Sequence, residues 1–240
     1  MTNPYLNTVT AKRVVRLSVV VLLSLFFTFP VNAVKMVVPN DQDKLFEEDF
    51  EDKARQVNEG ELHFLSDPPN QERIHSIFNT ITISPRSIET HWVDFRQCHK
   101  NLDRVAQSQI VYQYKQIRDL KIEFFKNIGK AWVEGQSIQL LDVMDKAEFC
   151  AVAQVNILKP QGNNIFVLRN GPYYRKFLDG YYPFHVQLLI KYPQTLLKIH
   201  KVLPAEQAGF AVTASSGELF LDAWFEGMLI VDIFLNTIAN

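Results

Sequence analysis

The stretch Phe184–Tyr192, FHVQLLIKY, decides the fold class of this chain. Every second residue in it is apolar, and the polar residues His185, Gln187 and Lys191 stand at positions between them. Successive side chains of a β-strand point to opposite faces, so this alternation predicts a strand with one buried face and one solvated face.

The same alternation recurs along the chain, in the stretches 77–83, 120–124, 149–157 and 219–225. Short turn signals separate these stretches, and no strand alternates with a helical pattern, so we expect antiparallel pairing. We therefore predict an all-β fold over residues 72–240, an antiparallel β-sandwich that is immunoglobulin-like or larger.

The first 33 residues have the layout of a secretory signal peptide. Lys12, Arg13 and Arg16 precede the uncharged apolar run Leu17–Phe29, and Val31-Asn32-Ala33 supplies a small-x-small cleavage pattern. A run of this length is short for a bilayer core about 30 Å thick, so an uncleaved anchor is the lesser alternative. We expect a periplasmic or secreted protein with no membrane span after cleavage.

Residues 34–71 form a charged N-terminal segment with one short amphipathic helix. Within Lys44–Val57, the residues Phe46, Phe50, Ala54 and Val57 lie on one helical stripe among acidic residues. Such a stripe most often packs on its own domain, although it could bind a partner.

Composition argues against nucleic-acid binding. The formal net charge is −1, and removal of the basic leader makes the chain more acidic. Proteins that bind polyanions replace counterions with Lys and Arg, so no nucleic-acid partner is expected.

The two cysteines, Cys98 and Cys150, are expected to form a disulfide, because paired thiols are usual in exported chains. We expect this bond to hold the sheets together. The alternatives are two free thiols and a metal site built from His91, Cys98 and His99. Adjacent strand residues such as Cys98 and His99 point to opposite faces, so no metal is predicted.

Asn170–Pro183, NGPYYRKFLDGYYP, is the strongest candidate for a binding site. Asn170-Gly171 favours a tight turn, but Pro172 pushes its neighbour toward extended backbone, so we expect a broader loop. Aromatic rings with charged neighbours can take up the faces and hydroxyls of a sugar, although such tyrosines are often simply buried. The candidate ligand-binding residues are Tyr173, Tyr174, Arg175, Asp179, Tyr181 and Tyr182.

Signatures of catalysis are weak. The sequence has no nucleophile elbow, zinc-protease motif, phosphate loop or dinucleotide fingerprint, so no cofactor and no catalytic residue are assigned. Asp222 and Glu226 share a strand face, but four strand residues separate them by about 13 Å, beyond the glycosidase range.

The function predicted from sequence is therefore an exported, non-catalytic β-sandwich protein that binds a partner in the cell envelope, either an envelope protein or a glycan. The alternatives are a secreted carbohydrate-active hydrolase and a metal-handling protein that uses His91, Cys98 and His99.

Overall fold

The computed structural model describes residues 60–68, 74–162 and 164–238. The predicted signal peptide and the amphipathic helix of Lys44–Val57 lie outside the described residues. Within the described part of the chain, no helix is both long and apolar enough to cross a membrane.

The prediction of an all-β fold is confirmed. One six-residue helix, α1 (Pro85–Thr90), is capped by Ser84, whose hydroxyl accepts from the Ser87 amide at 3.2 Å. The strands are β1 (His63–Phe64), β2 (Ser76–Thr82), β3 (Trp92–Leu102), β4 (Val105–Val111), β5 (Ile117–Glu134), β6 (Ser137–Asn156), β7 (Leu158–Pro160), β8 (Ile165–Tyr173), β9 (Lys176–Phe177), β10 (Gly180–Tyr181), β11 (Phe184–Lys191), β12 (Leu197–Leu203), β13 (Phe210–Ser215), β14 (Glu218–Glu226) and β15 (Leu229–Thr237).

These strands form three sheets with mostly antiparallel pairing. The largest has nine strands in the order β1-β14-β11-β2-β3-β6-β4, with β13 also on β14 and β5 also on β6. A second sheet has the order β12-β15-β8-β7, and β9 pairs with β10 alone. Buried side chains of both larger sheets, such as Ile81 and Leu188 from the first and Leu168 and Ile233 from the second, belong to one hydrophobic cluster.

One pair departs from the expected antiparallel arrangement. Strands β2 and β11 run parallel, with Ser76 opposite His185 and Thr82 opposite Lys191. Alternation shows which face of a strand is buried, but it carries no information about strand direction.

The long strand β6 is folded back on itself. It pairs with β5 along its whole length, while β3 and β4 share its other edge. The short segment 112–116 joins β4 to β5, and it reaches both ends of β6. The amide of Tyr112 donates to Gln136 O at 3.0 Å, and the amide of Asn156 donates to Gln116 O at 3.1 Å.

Chain length makes this fold-back obligatory. A straight strand of the 20 residues in β6 would extend roughly 65 Å, whereas segment 112–116 spans at most roughly 20 Å. Four residues at the bend have left-handed backbone, which asparagine and aspartate tolerate better than most residues. Asn101, Asn127 and Asp142 have φ of 54°, 56° and 54°, and Lys146 has φ of 57°. The side-chain amide of Asn127 donates to the carbonyls of Asp145 and Lys146.

Asn170, Gly171 and Pro172, which we expected in a broad loop, lie within β8. This end of β8 pairs with β15 on one side only, because β7 reaches no further than Leu168. Pro172 lies opposite the register shift between Leu229 and Val231, and proline is tolerated at such irregular edge positions.

The predicted disulfide between Cys98 and Cys150 is present, but its expected role is wrong. The two residues face each other on β3 and β6, with Cα atoms 4.0 Å apart. Both strands belong to the nine-stranded sheet, so the bond cross-links neighbouring strands of one sheet and does not join two sheets.

We expect the double variant C98A/C150A to be less stable than the wild type by about 3–4 kcal/mol, because the bond closes a long loop in the unfolded chain. Urea unfolding of the oxidised protein and the variant measures this difference. Intact-mass analysis should show that the oxidised protein is lighter than its reduced form by the mass of two hydrogen atoms. Equal free energies of unfolding would contradict the prediction.

Candidate functional site

Polar side chains interrupt the buried face of two neighbouring strands. On β3, Gln97 and His99 continue the buried phase set by Val93 and Phe95, and on β2 Asn79 lies between two buried isoleucines. The exposed fractions of Asn79, Gln97 and His99 are 0%, 6% and 3%. The nine-stranded sheet thus directs three hydrogen-bonding side chains into its core side.

These side chains form a continuous hydrogen-bonded chain. Gln97 Nε2 donates to Asn79 Oδ1 at 2.9 Å, so Gln97 Oε1 is left as the acceptor for His99 Nε2 at 2.8 Å. His99 Nε2 must then carry the proton, and its Nδ1 accepts from His75 Nε2 at 2.9 Å. The chain therefore fixes His99 as the neutral tautomer protonated on Nε2, and it requires His75 to carry a proton on its own Nε2.

Electrostatics agree with this assignment. Burial lowers the pKa of His75 to about 4, partly offset by the nearby Asp103 carboxylate, and Arg175 lowers it further. Burial holds the pKa of His99 well below its usual value, and electrostatic repulsion from His75 lowers it further. The ring of His99 also stacks on Phe149, with centroids 4.5 Å apart.

A group of tyrosine hydroxyls lies near this chain. The Tyr173 hydroxyl donates to Asn170 Oδ1, and Asn170 Nδ2 donates to the Tyr114 hydroxyl oxygen at 3.2 Å. The Tyr112 hydroxyl is buried and has no hydrogen-bond partner among the described residues. Burial raises the pKa of all three tyrosines, so their hydroxyls remain protonated at neutral pH.

A cleft of about 330 Å³ brings these groups together. Its walls come from β2 and β3, the end of β4 with segment 112–116, the end of β8 and the start of β11. The lining residues are Ile77, Gln97, His99, Gln109, Ile110, Val111, Tyr112, Gln113, Tyr114, Gly171, Pro172, Tyr173, Tyr174 and Phe184. Among the described residues, this lining contains no Asp, Glu, Lys or Arg.

Two of the candidate residues predicted from sequence line the cleft. Tyr173 is buried, with 6% of its surface exposed, whereas Tyr174 is 41% exposed. The next residue, Arg175, makes a bidentate ion pair with Asp103, with N–O distances of 2.6 and 3.1 Å. This ion pair ties the end of β8 to the turn between β3 and β4.

The remaining candidates, Asp179, Tyr181 and Tyr182, belong to the small β9–β10 hairpin and are not part of the cleft lining. The Tyr182 hydroxyl donates to the Asp179 carboxylate, and the Arg175 guanidinium lies 5.5 Å from the centroid of the Tyr182 ring. Tyr181 meets Tyr174 edge-on at 6.2 Å. The structure therefore divides the predicted set between a cleft and an adjacent hairpin.

The residues of the metal alternative have other partners. Cys98 is bonded to Cys150, and His99 lies on the opposite face of β3 in the hydrogen-bonded chain. His91 ends helix α1 with a φ of 66°. Within residues 60–68, 74–162 and 164–238, no group of three or more His, Cys, Asp or Glu side chains is arranged to hold a metal ion.

Asp222, the acid considered from sequence, lies on the outer face of the nine-stranded sheet. Its carboxylate accepts from His185 Nε2 at 2.8 Å and Gln187 Nε2 at 2.9 Å. Burial acts to raise the pKa of Asp222, but these two hydrogen bonds outweigh it, so the pKa is lowered. The His185 ring stacks on Trp224 at 3.8 Å.

Comparisons with known proteins add no functional information. No protein-family model matches the chain, and no significant match to a curated protein is found.

The sequence did not indicate Gln97, Gln109, Tyr112 or Tyr114 as site residues, and it indicated His99 only as part of the metal alternative. One signal was available for two of them. Gln97 and His99 stand in phase with the buried residues Val93 and Phe95, and a polar residue in a buried phase needs a partner. The sequence carries no comparable signal for Tyr112 or Tyr114, because these residues reach the cleft only through the fold-back of β6.

We expect stability to fall as the pH decreases from about 6.5 to about 4. In this range the unfolded chain protonates His75, whereas the folded protein keeps it neutral, so protonation favours unfolding. The lowering of the His75 pKa corresponds to a loss of up to about 3 kcal/mol in the free energy of unfolding. The lowered pKa of His99 acts in the same direction.

Urea unfolding at pH 7, 6, 5 and 4.5 tests this expectation. The variant H75Q should show a flatter dependence of the unfolding free energy on pH, while H200Q, at an exposed position, should retain the wild-type slope. A wild-type slope in H75Q would contradict the assignment of the effect to this histidine.

Proposed function

We propose that this protein is an exported, non-catalytic β-sandwich, larger than an immunoglobulin domain, that binds a small envelope ligand in the cleft. The observation that carries the proposal is a cleft whose polar groups are held in place by hydrogen bonds and whose lining, as far as the structure describes the chain, contains no Asp, Glu, Lys or Arg. Its volume of about 330 Å³ is at the lower end of the range of roughly 300–1,000 Å³ for ligand sites.

The cleft walls are preorganised. Gln97 and His99 are fixed by the hydrogen-bonded chain, and Asn170 holds the hydroxyls of Tyr114 and Tyr173. Binding therefore requires little further ordering of these side chains, which favours affinity.

The same hydrogen bonds argue for binding without catalysis. Both ring nitrogens of His99 are already engaged, so this imidazole has no free position from which to transfer a proton to a ligand. The described lining also lacks the two facing carboxylates that a carbohydrate-active hydrolase requires. These features support the binding protein over the hydrolase.

Export rests on the predicted leader, and the Cys98–Cys150 disulfide is compatible with it, because such bonds persist in oxidising compartments. We place the protein in the periplasm or outside the cell. The ligand there is a glycan or a small molecule of the envelope.

A fragment survey by NMR tests the binding site. We expect members of a library of neutral, anionic and cationic fragments to shift the amide resonances of residues 109–114 and 171–174 in a saturable manner. The variant Q109W, which places an indole in the cleft, should abolish these shifts.

The matched control is Q107W, two residues earlier on β4 and outside the cleft lining. It should bind fragments as the wild type does. Saturable shifts confined to the β9–β10 hairpin, or no shifts at residues 109–114 in the wild type, would contradict the proposal.

A further inference from the structure

We infer that the cleft selects an uncharged, hydroxylated ring, the chemistry of a neutral sugar unit. This inference rests on the proposed binding function and adds the class of ligand. Three properties of the lining support it, namely its charge, its unused hydrogen-bonding capacity and its aromatic content.

The lack of charged side chains in the described lining disfavours ionic ligands. A carboxylate or ammonium entering the cleft would lose water without meeting an opposite charge, because the described lining is uncharged. The nearby charges of Asp103 and Arg175 neutralise each other through two hydrogen bonds. His99 and His75 are held neutral, so they add no positive charge at neutral pH.

The unused hydrogen-bonding groups include both donors and acceptors. Tyr114 accepts from Asn170, which leaves its own O–H proton to donate. Gln109 donates one amide proton to Ser137 Oγ at 3.0 Å, which leaves Gln109 Oε1 as an acceptor. The buried Tyr112 hydroxyl has no partner in the part of the chain that the structure describes. A ligand hydroxyl donates and accepts at once, so it complements such a mixed set.

The orphaned Tyr112 hydroxyl is the most specific of these observations. Buried polar groups are nearly always hydrogen-bonded, and each exception requires an explanation. Tyr112 lines the cleft, but its hydroxyl oxygen is itself buried, so a ligand hydroxyl would complete its hydrogen bonding once the side chains that cover it shift.

Aromatic rings supply the remaining contact area. The cleft is lined by five aromatic side chains, those of Tyr112, Tyr114, Tyr173, Tyr174 and Phe184. A sugar ring presents apolar C–H faces between its hydroxyls, and aromatic side chains offer large apolar contact surfaces. A ligand with hydroxyls on its edge and C–H groups on its faces matches both components of the lining.

NMR titration with four chosen probes tests the inference. Methyl α-D-glucopyranoside is the neutral sugar, glucuronic acid its anionic counterpart, glucosamine its cationic counterpart, and benzyl alcohol an aromatic ring with a single hydroxyl. We expect the neutral sugar to bind in the cleft at least about 10-fold more tightly than either charged sugar, because a buried charge lacks compensation.

The variant Y112F separates a binding role from a structural one. Loss of one hydrogen bond should weaken sugar binding about 3- to 10-fold. The ligand-free variant should unfold at the same or a higher urea concentration than the wild type, because it removes an unsatisfied hydroxyl. The control Y192F changes a tyrosine outside the cleft and should bind like the wild type.

Tighter binding of a charged sugar or of benzyl alcohol in the cleft would overturn the ligand class while leaving the binding function intact. Absence of cleft shifts with the neutral sugar, or unchanged affinity in Y112F, would also overturn it. Failure of the proposed function is recognised separately, because the fragment survey would then give no hits at residues 109–114.

Discussion

The fold-back of β6 is the constraint on which the rest of the structure depends. Because segment 112–116 is too short to run beside a straight β6, the two ends of that strand must approach each other. The approach places Tyr112 and Tyr114 near the polar face of β3, and it creates the cleft between them. A longer connection would remove the requirement and, with it, the reason for these side chains to meet.

The polar chain in the core has a cost that the packing must offset. Buried amides and imidazoles are stable only when they are paired, and His99 satisfies this condition only while its ring is neutral, because its Nδ1 must accept from His75. An apolar core of the same shape would avoid this requirement. Under the proposed function, these fixed donors and acceptors would define what the cleft binds.

Alternation allowed the all-β class and the buried faces of individual strands to be predicted, as in Phe184–Tyr192 and in the strand carrying Phe149. It could not show that β2 runs parallel to β11 or that β6 bends, because a period of two specifies a face and neither a partner nor a direction. The pairing of Cys98 with Cys150 followed from their number, whereas their location in one sheet depended on strand order. The aromatic segment 170–183 contributes only part of its candidate residues to the cleft. Tyr173 and Tyr174 line it, whereas the other candidates do not.

The parallel pairing of β2 with β11 has a consequence for folding order. These strands are distant in the chain, and β1 similarly pairs with β14. Non-local contacts of this kind slow folding, because the entropy of closing a long loop precedes any gain from pairing. One edge of β2 thus stays open until β11 is available, and the largest sheet is complete only when β13 and β14 have joined it.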